Sequence, residues 1–153
     1  MPADRDATPA PDAPTGLEAI RAILDGRAPP PPMAGTMGIR LTTAEPGVVT
    51  FAGAPGPAHL NPMGGVHGGW YGTLLDSAMG CAVMTALSAG RGYTTLEYKV
   101  SLIRAIPVGL AVEAVGRVVH AGRTTAVAEG TIRGAADGRL YATGTTTCLV
   151  LAP

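Results

Sequence analysis

Charge is scarce in this chain. Only 14% of its 153 residues are Asp, Glu, Lys or Arg, and 11 basic side chains are balanced by 11 acidic ones. Without a basic excess there is no electrostatic footprint for nucleic acid or for an anionic membrane surface. Cysteine is scarce too: Cys81 and Cys148 lie far apart, with no second Cys or His at metal-ligand spacing. Both are expected to be buried thiols, and no metal site is expected. A signal-peptide pattern is missing, because the first 16 residues are rich in Pro, Ala, Asp and Thr and hold no apolar stretch. A cytoplasmic location is therefore expected.

What remains is a chain long enough for one domain with its own core. Its apolar fraction is 46%. With so few charges, a lone monomer would expose much uncharged surface, so some of that surface is expected to be buried against another copy. Residues 1–14, with four prolines and little to bury, read as a disordered tail. Thr15 then opens a short helix: Glu18 completes a capping box, Leu17, Ile20 and Leu24 form the apolar stripe, and Gly26 stops it. The run Pro29 to Pro32 reads as an extended strap laid over the domain. Residues 15–32 thus form a helix and strap ahead of a main domain over 33–151.

Six runs in that domain have strand character: Thr36 to Ala44, Gly47 to Gly53, Tyr93 to Ile103, Ala111 to His120, Thr124 to Arg133 and Leu140 to Leu151. Their separators are mostly short and turn-competent, so consecutive strands are expected to be antiparallel neighbours. Between the second and third runs, apolar residues from Tyr71 to Leu87 recur at three-and-four spacing and predict a helix over Gly68 to Ser88. A membrane span is not expected there, since the segment holds Asp76, several glycines and hydroxyls, and no basic flank at its start. One long apolar helix against one curved antiparallel sheet of about six strands is an α+β architecture.

Between Glu45 and Arg91 the sole charged side chain is Asp76. A carboxylate taken out of water costs several kcal/mol unless it is hydrogen-bonded, paired or neutralised. Its helix neighbours are small or apolar on every side, so it is expected to be enclosed. Gly72 and Gly80, one turn away on either side, are poor helix formers and are expected to leave room beside the carboxylate; close packing of another backbone is the alternative use for them. Ahead of Asp76 stands His67-Gly68-Gly69, at a helix start whose N–H groups lack internal partners and favour negative charge.

Asn61-Pro62-Met63-Gly64-Gly65-Val66-His67-Gly68-Gly69, then Leu74-Leu75-Asp76-Ser77-Ala78, then Thr95-Leu96-Glu97 and Arg104-Ala105-Ile106-Pro107, closely resemble the PaaI-like acyl-CoA thioesterases of the hotdog-fold superfamily. The likeness covers roughly residues 33 to 151. It implies a hotdog fold and hydrolysis of an acyl-CoA thioester without metal or organic cofactor, in a homodimer or a homotetramer built as a dimer of dimers. It also implies roles. Asp76 is the nucleophile or general base, the Gly68 N–H the oxyanion donor, and His67 sits beside the thioester, with a backbone bond that fixes the helix entry as its bland alternative. Asn61 holds the carboxylate or water by its amide, with turn formation as its bland alternative. Thr95 aligns with a hydroxyl that positions water, with Thr94 as its rival. Gly69 and Trp70 are candidates for the substrate pocket. Arg104 and Arg123 are candidates for coenzyme A phosphates, which guanidinium pairs well. His59 and His120 receive no role.

One helix cannot bring Gly68 and Asp76 to one carbonyl: eight residues at 1.5 Å rise separate them by about 12 Å. A two-fold dimer solves this by facing the helix start of one copy to Asp76 of the other. Two other classes stay open. A hotdog hydratase or dehydratase would place an Asp and a His on a different motif, and a non-catalytic acyl-CoA-binding protein would keep the pocket without turnover.

Overall fold

The computed structural model describes residues 12–152, so most of the tail expected over residues 1–14 lies outside the described residues. The chain carries α1 (Gly16–Leu24), α2 (Pro32–Met37), β1 (Ile39–Glu45), β2 (Val48–Gly53), α3 (Gly68–Thr85), β3 (Gly92–Leu102), β4 (Val112–Ala121), β5 (Thr125–Gly134) and β6 (Leu140–Leu151). It is the hotdog arrangement: α3 lies against a curved six-stranded antiparallel sheet in the order β1-β2-β4-β5-β6-β3.

Helix α3 forms the core because its apolar residues are spaced to bury on most sides. Leu74, Leu75, Ala78, Met79, Ala82 and Val83 have no exposed surface, and each Leu or Met so buried contributes about 1.5–3 kcal/mol. The helix ends at Thr85 rather than Ser88. The Thr85 hydroxyl donates to Ala82 O at 2.6 Å and accepts the Gly47 N–H at 2.8 Å, which ties the last turn to the β1–β2 hairpin. The sheet meets the helix through a row of glycines in register on adjacent strands, Gly116 opposite Gly130 and Gly130 opposite Gly144. A Cβ on Gly116 would overlap the Ala78 carbonyl; on Gly130 it would meet Met79 Cγ at 3.0 Å, and on Gly144 Leu75 Cδ1 at 3.2 Å. Those missing side chains let Leu75 and Met79 sit directly on the backbone of the sheet.

Two features depart from the sequence reading. Consecutive strands are neighbours for β1–β2, β4–β5 and β5–β6, but β3 pairs with β6 at the far edge and β2 pairs with β4. The segment after β3 is not a tight turn; it crosses the end of the sheet, held by the Ile106 N–H on Tyr71 Oη at 2.8 Å and the Gly109 N–H on Pro55 O at 2.8 Å. The second departure is α2, which takes in Thr36 and Met37, so β1 begins at Ile39. Pro32 stands inside the first turn of α2, where its missing N–H is harmless, and Gly38 closes the helix at φ 60°, a left-handed cap that glycine accepts without strain. At the β1 edge α1 lies over the strand, and its start carries the expected capping box: Thr15 accepts from the Glu18 N–H and Glu18 from the Thr15 N–H.

Candidate active site

Four positions spaced four apart on α3, Gly68, Gly72, Asp76 and Gly80, face β3. Leu102 lies over Gly68, Tyr98 over Gly72, and Tyr93 over Gly80. At the remaining position the Thr95 hydroxyl donates to Asp76 Oδ1 at 3.0 Å. Strand alternation alone would not give this set, because Tyr93 and Thr95 are odd positions while Tyr98 and Leu102 are even. A β-bulge at Leu96 supplies the extra residue, and from there on Tyr98, Val100 and Leu102 face the helix in place of Glu97, Lys99 and Ser101. Thr95 rather than Thr94 therefore meets the carboxylate; Thr94 is on the other face.

The room expected beside Asp76 is filled. A Cβ on Gly80 would meet the Tyr93 ring at 2.9 Å, and one on Gly72 the Tyr98 ring at 3.2 Å, so the glycines admit two tyrosines rather than a void or another backbone. Asp76 is half-buried in the single chain and, among the described residues, forms no ion pair. Its Oδ2 has no partner there. Around it the acids are suppressed: burial, then the Asp76 charge, pushes the Cys81 thiol up to about 12. Burial also raises the Cys148 thiol and, with Cys81 and Asp76 adding to it, the Tyr93 phenol. Neither thiol is a thiolate nucleophile at neutral pH. Cys148 is buried as expected, and Cys81 is half-buried.

At the helix start, His67 is the N-cap, and its Nδ1 accepts the Gly69 N–H at 2.9 Å. Gly69 has thus given its N–H to His67, whereas the Gly68 N–H has no partner among the described residues. The same bond leaves His67 Nε2 as the protonated ring nitrogen, on an exposed side chain. Asn61 serves its own loop, Oδ1 accepting from Met63 N–H at 2.9 Å and Gly65 N–H at 3.1 Å, while its Nδ2 hydrogens are uncommitted. Trp70 is 1% exposed and donates Nε1–H to Met37 O at 2.9 Å. It floors a cavity of about 400 Å3 that touches His67 and Gly69. A larger groove, about 670 Å3, lies on the opposite face of the sheet among Lys99, Arg117 and Arg133, away from Asp76.

The two arginines are not together. Arg104 follows the end of β3, its guanidinium bonded to Leu140 O and lying 5.9 Å from the Tyr141 ring centroid. Arg123 lies near the start of β3, its carbonyl accepting from Arg91 at 2.7 Å. At about 3.3 Å per residue the length of β3 puts them on the order of 30 Å apart. Tyr93, Tyr98, Met37 and His59 were missed as site neighbours. The parity change along β3 and the glycines four residues either side of Asp76 were the signals for the tyrosines.

Comparison with known proteins agrees with the fold. Residues 63–141 match the family model described as the thioesterase superfamily. A phenylacetic acid degradation-related protein of Ralstonia eutropha JMP134 is similar in structure, 31% identical over 85% of this chain and 98% of its own, with a TM-score of 0.76. A thioesterase family protein of Silicibacter pomeroyi is 29% identical over 88% and 99%, with a TM-score of 0.78. A variant of the phenylacetic acid degradation protein PaaI of Thermus thermophilus is 28% identical over 78% and 98%, with a TM-score of 0.71. A comparison with curated proteins finds no match. The chain belongs to the hotdog-fold thioesterase superfamily. Several of its structural relatives carry PaaI or phenylacetic acid degradation in their names. Among the described residues no helix is long and apolar enough to cross a membrane.

Proposed function

We propose that this protein hydrolyses acyl-CoA thioesters at sites shared between two copies of the chain. One observation carries the reading: α3 has at its start a Gly68 N–H with no partner among the described residues and, about 12 Å further along the helix, a carboxylate with one oxygen free there. Strand β3 is an edge of the sheet, and a two-fold pairing of β3 with its counterpart sets two α3 helices antiparallel. Gly68 of one copy then faces Asp76 of the other.

In that site the thioester carbonyl accepts the Gly68 N–H. As the carbon becomes tetrahedral the oxygen gains charge and the bond strengthens, and one such donor is worth about 3–4 kcal/mol. Asp76 Oδ2 attacks the carbonyl carbon, or takes a proton from a water that attacks it. By either route the C–S bond breaks, coenzyme A leaves as its thiol, and water supplies the new oxygen of the acid. Thr95 fixes the carboxylate through Oδ1. His67 Nε2–H donates to the carbonyl or sulfur, and the Asn61 amide hydrogens hold the water or carboxylate. Arg104 and Arg123 lie too far apart on one chain to hold one phosphate group, so a substrate reaches both only if they come from different copies.

The test is thiol release from a panel of acyl-CoAs. Asp76→Asn is expected to lose at least about a hundredfold in rate. Gly68→Pro removes the donor while keeping the helix, since proline suits the first helical position and His67 before it is already extended at ψ 136°. A loss of about 10² to 10³ is expected there, against less than about tenfold for Gly68→Ala, which keeps the N–H and whose Cβ meets Leu102 at an ordinary 3.5 Å. Full activity in Asp76→Asn would remove that residue from the chemistry. Binding without thiol release would return the chain to an acyl-CoA-binding role, and a changed acyl group with the thioester intact would favour a hydratase.

A further inference from the structure

We infer that the cavity between α2 and the start of α3 receives the acyl group, that it takes uncharged acyl groups, and that Met37, on the helix that follows the Pro-rich strap, limits their size. The inference rests on the hydrolase reading above and adds the substrate class. The cavity touches His67 and Gly69, the residues on either side of the Gly68 N–H. A carbonyl bonded to that N–H therefore has this space beside it for its acyl substituent, while the bulky, polar coenzyme A portion needs the open side.

The chemistry of the walls selects what enters. Met37, Ala58, Leu60 and Trp70 make them apolar, and among the described residues no Lys, Arg, Asp or Glu lines the cavity. Its polar side chains are largely spent. The Thr73 hydroxyl donates to Gly69 O at 2.9 Å. His59 Nδ1 accepts the Gly56 N–H at 2.9 Å, which leaves Nε2 to donate to Thr36 O at 3.2 Å. A second carboxylate, as on a dicarboxylic acyl group, would lose its water here with no cation to replace it.

The size limit follows from how α2 is held. Trp70 Nε1–H bonds the Met37 carbonyl and His59 bonds the Thr36 carbonyl, so two walls of the cavity grip the last turn of α2 by its backbone. The Met37 side chain takes no part in those bonds and is free to act as the opposing wall. His59 and Trp70 meet with centroids 6.1 Å apart and planes tilted 35°, forming a corner opposite Met37.

Two substitutions change the volume in opposite directions. Met37→Ala enlarges the cavity and Ala58→Leu fills it. Ala58 is exposed and Met37 is partly buried against the core, so both variants are expected to elute as the wild type does, with Met37→Ala melting lower for the apolar contacts it gives up. The experiment measures kcat/KM by thiol release for straight-chain acyl-CoAs of increasing length and for the dicarboxylic acyl-CoA of each length. Met37→Ala should raise the ratio of long-chain to short-chain kcat/KM at least about tenfold and Ala58→Leu lower it comparably, since one methylene in an apolar pocket is worth roughly 10- to 200-fold. The wild type should prefer each monocarboxylic acyl-CoA over its dicarboxylic counterpart by at least about a hundredfold. Unchanged length profiles in both variants, or equal use of dicarboxylic substrates, would overturn this inference and leave the hydrolase reading standing. A wild type that releases thiol from none of them would overturn both.

Discussion

At one edge of the sheet, β1 runs beneath α1, with Arg21 donating to Ala44 O at 3.1 Å and to Glu45 at 2.9 Å. At the other edge, β3 packs one face on α3, but among the described residues no strand pairs with its free side, and Leu96 58%, Tyr98 47%, Leu102 53% and, just past the strand, Ile103 53% stay exposed. Unpaired edges invite strand addition, and proteins cover or charge those not meant for it. Here the covered edge is the one remote from the proposed chemistry, whereas Asp76 lies beside the uncovered one, bonded to Thr95 of β3, and the helix start at Gly68 lies beside Leu102 of the same strand. Completion of the edge and completion of the site are thus one event in the proposed assembly.

That contrast is broken most severely at β3. Leu96→Asp combined with Leu102→Asp places like charges on the edge, and the expected result is single chains by sedimentation together with loss of nearly all thiol release. Folded single chains that retain wild-type rates would separate the edge from the site. A smaller effect is expected inside the site. Thr95→Ala removes the one hydrogen bond that the Asp76 carboxylate makes among the described residues and should lower kcat about tenfold, roughly 1.4 kcal/mol, with Thr95→Ser restoring most of it and Thr94→Ala changing nothing. The smallest effect belongs to the covered edge. Arg21→Ala should cost about 1 kcal/mol in a denaturant melt, because the ion pair is exposed and screened, and should leave both oligomer and activity intact.

Much of this was legible in the residues. The spacing from Tyr71 to Leu87 predicts a buried helix, the alternating runs predict six strands, and a lone carboxylate in an apolar stretch marks the place to look. What was not legible depends on contacts distant in sequence. Strand β3 goes to the far edge because its connection to β4 is pinned by Tyr71 and Pro55, which no local turn propensity encodes. The bulge at Leu96 changes which residues of β3 meet the helix, and a one-residue shift moves every side chain to the other face. Met37 falls within the strand-like run that starts at Thr36, and Pro32 within the strap, yet Pro32 at a helix start and Gly38 at its end close a short turn of helix. Between the two glycines of the helix start, only the resemblance points to Gly68 as the donor. What sets them apart physically is the His67 cap, which occupies the Gly69 N–H and is visible only in three dimensions.

The central claim, that each site takes its donor from one copy and its carboxylate from the other, is tested most directly by mixing two inactive variants. Asp76→Asn and Gly68→Pro chains are unfolded and refolded together, and thiol release is compared with each variant treated alone. Random pairing makes half the dimers mixed, and each mixed dimer holds one site with both groups intact, so about one quarter of wild-type activity should return. Recovery near that level supports the shared site. No recovery, with mixed dimers demonstrated by mass, would place both groups in one chain and contradict the account.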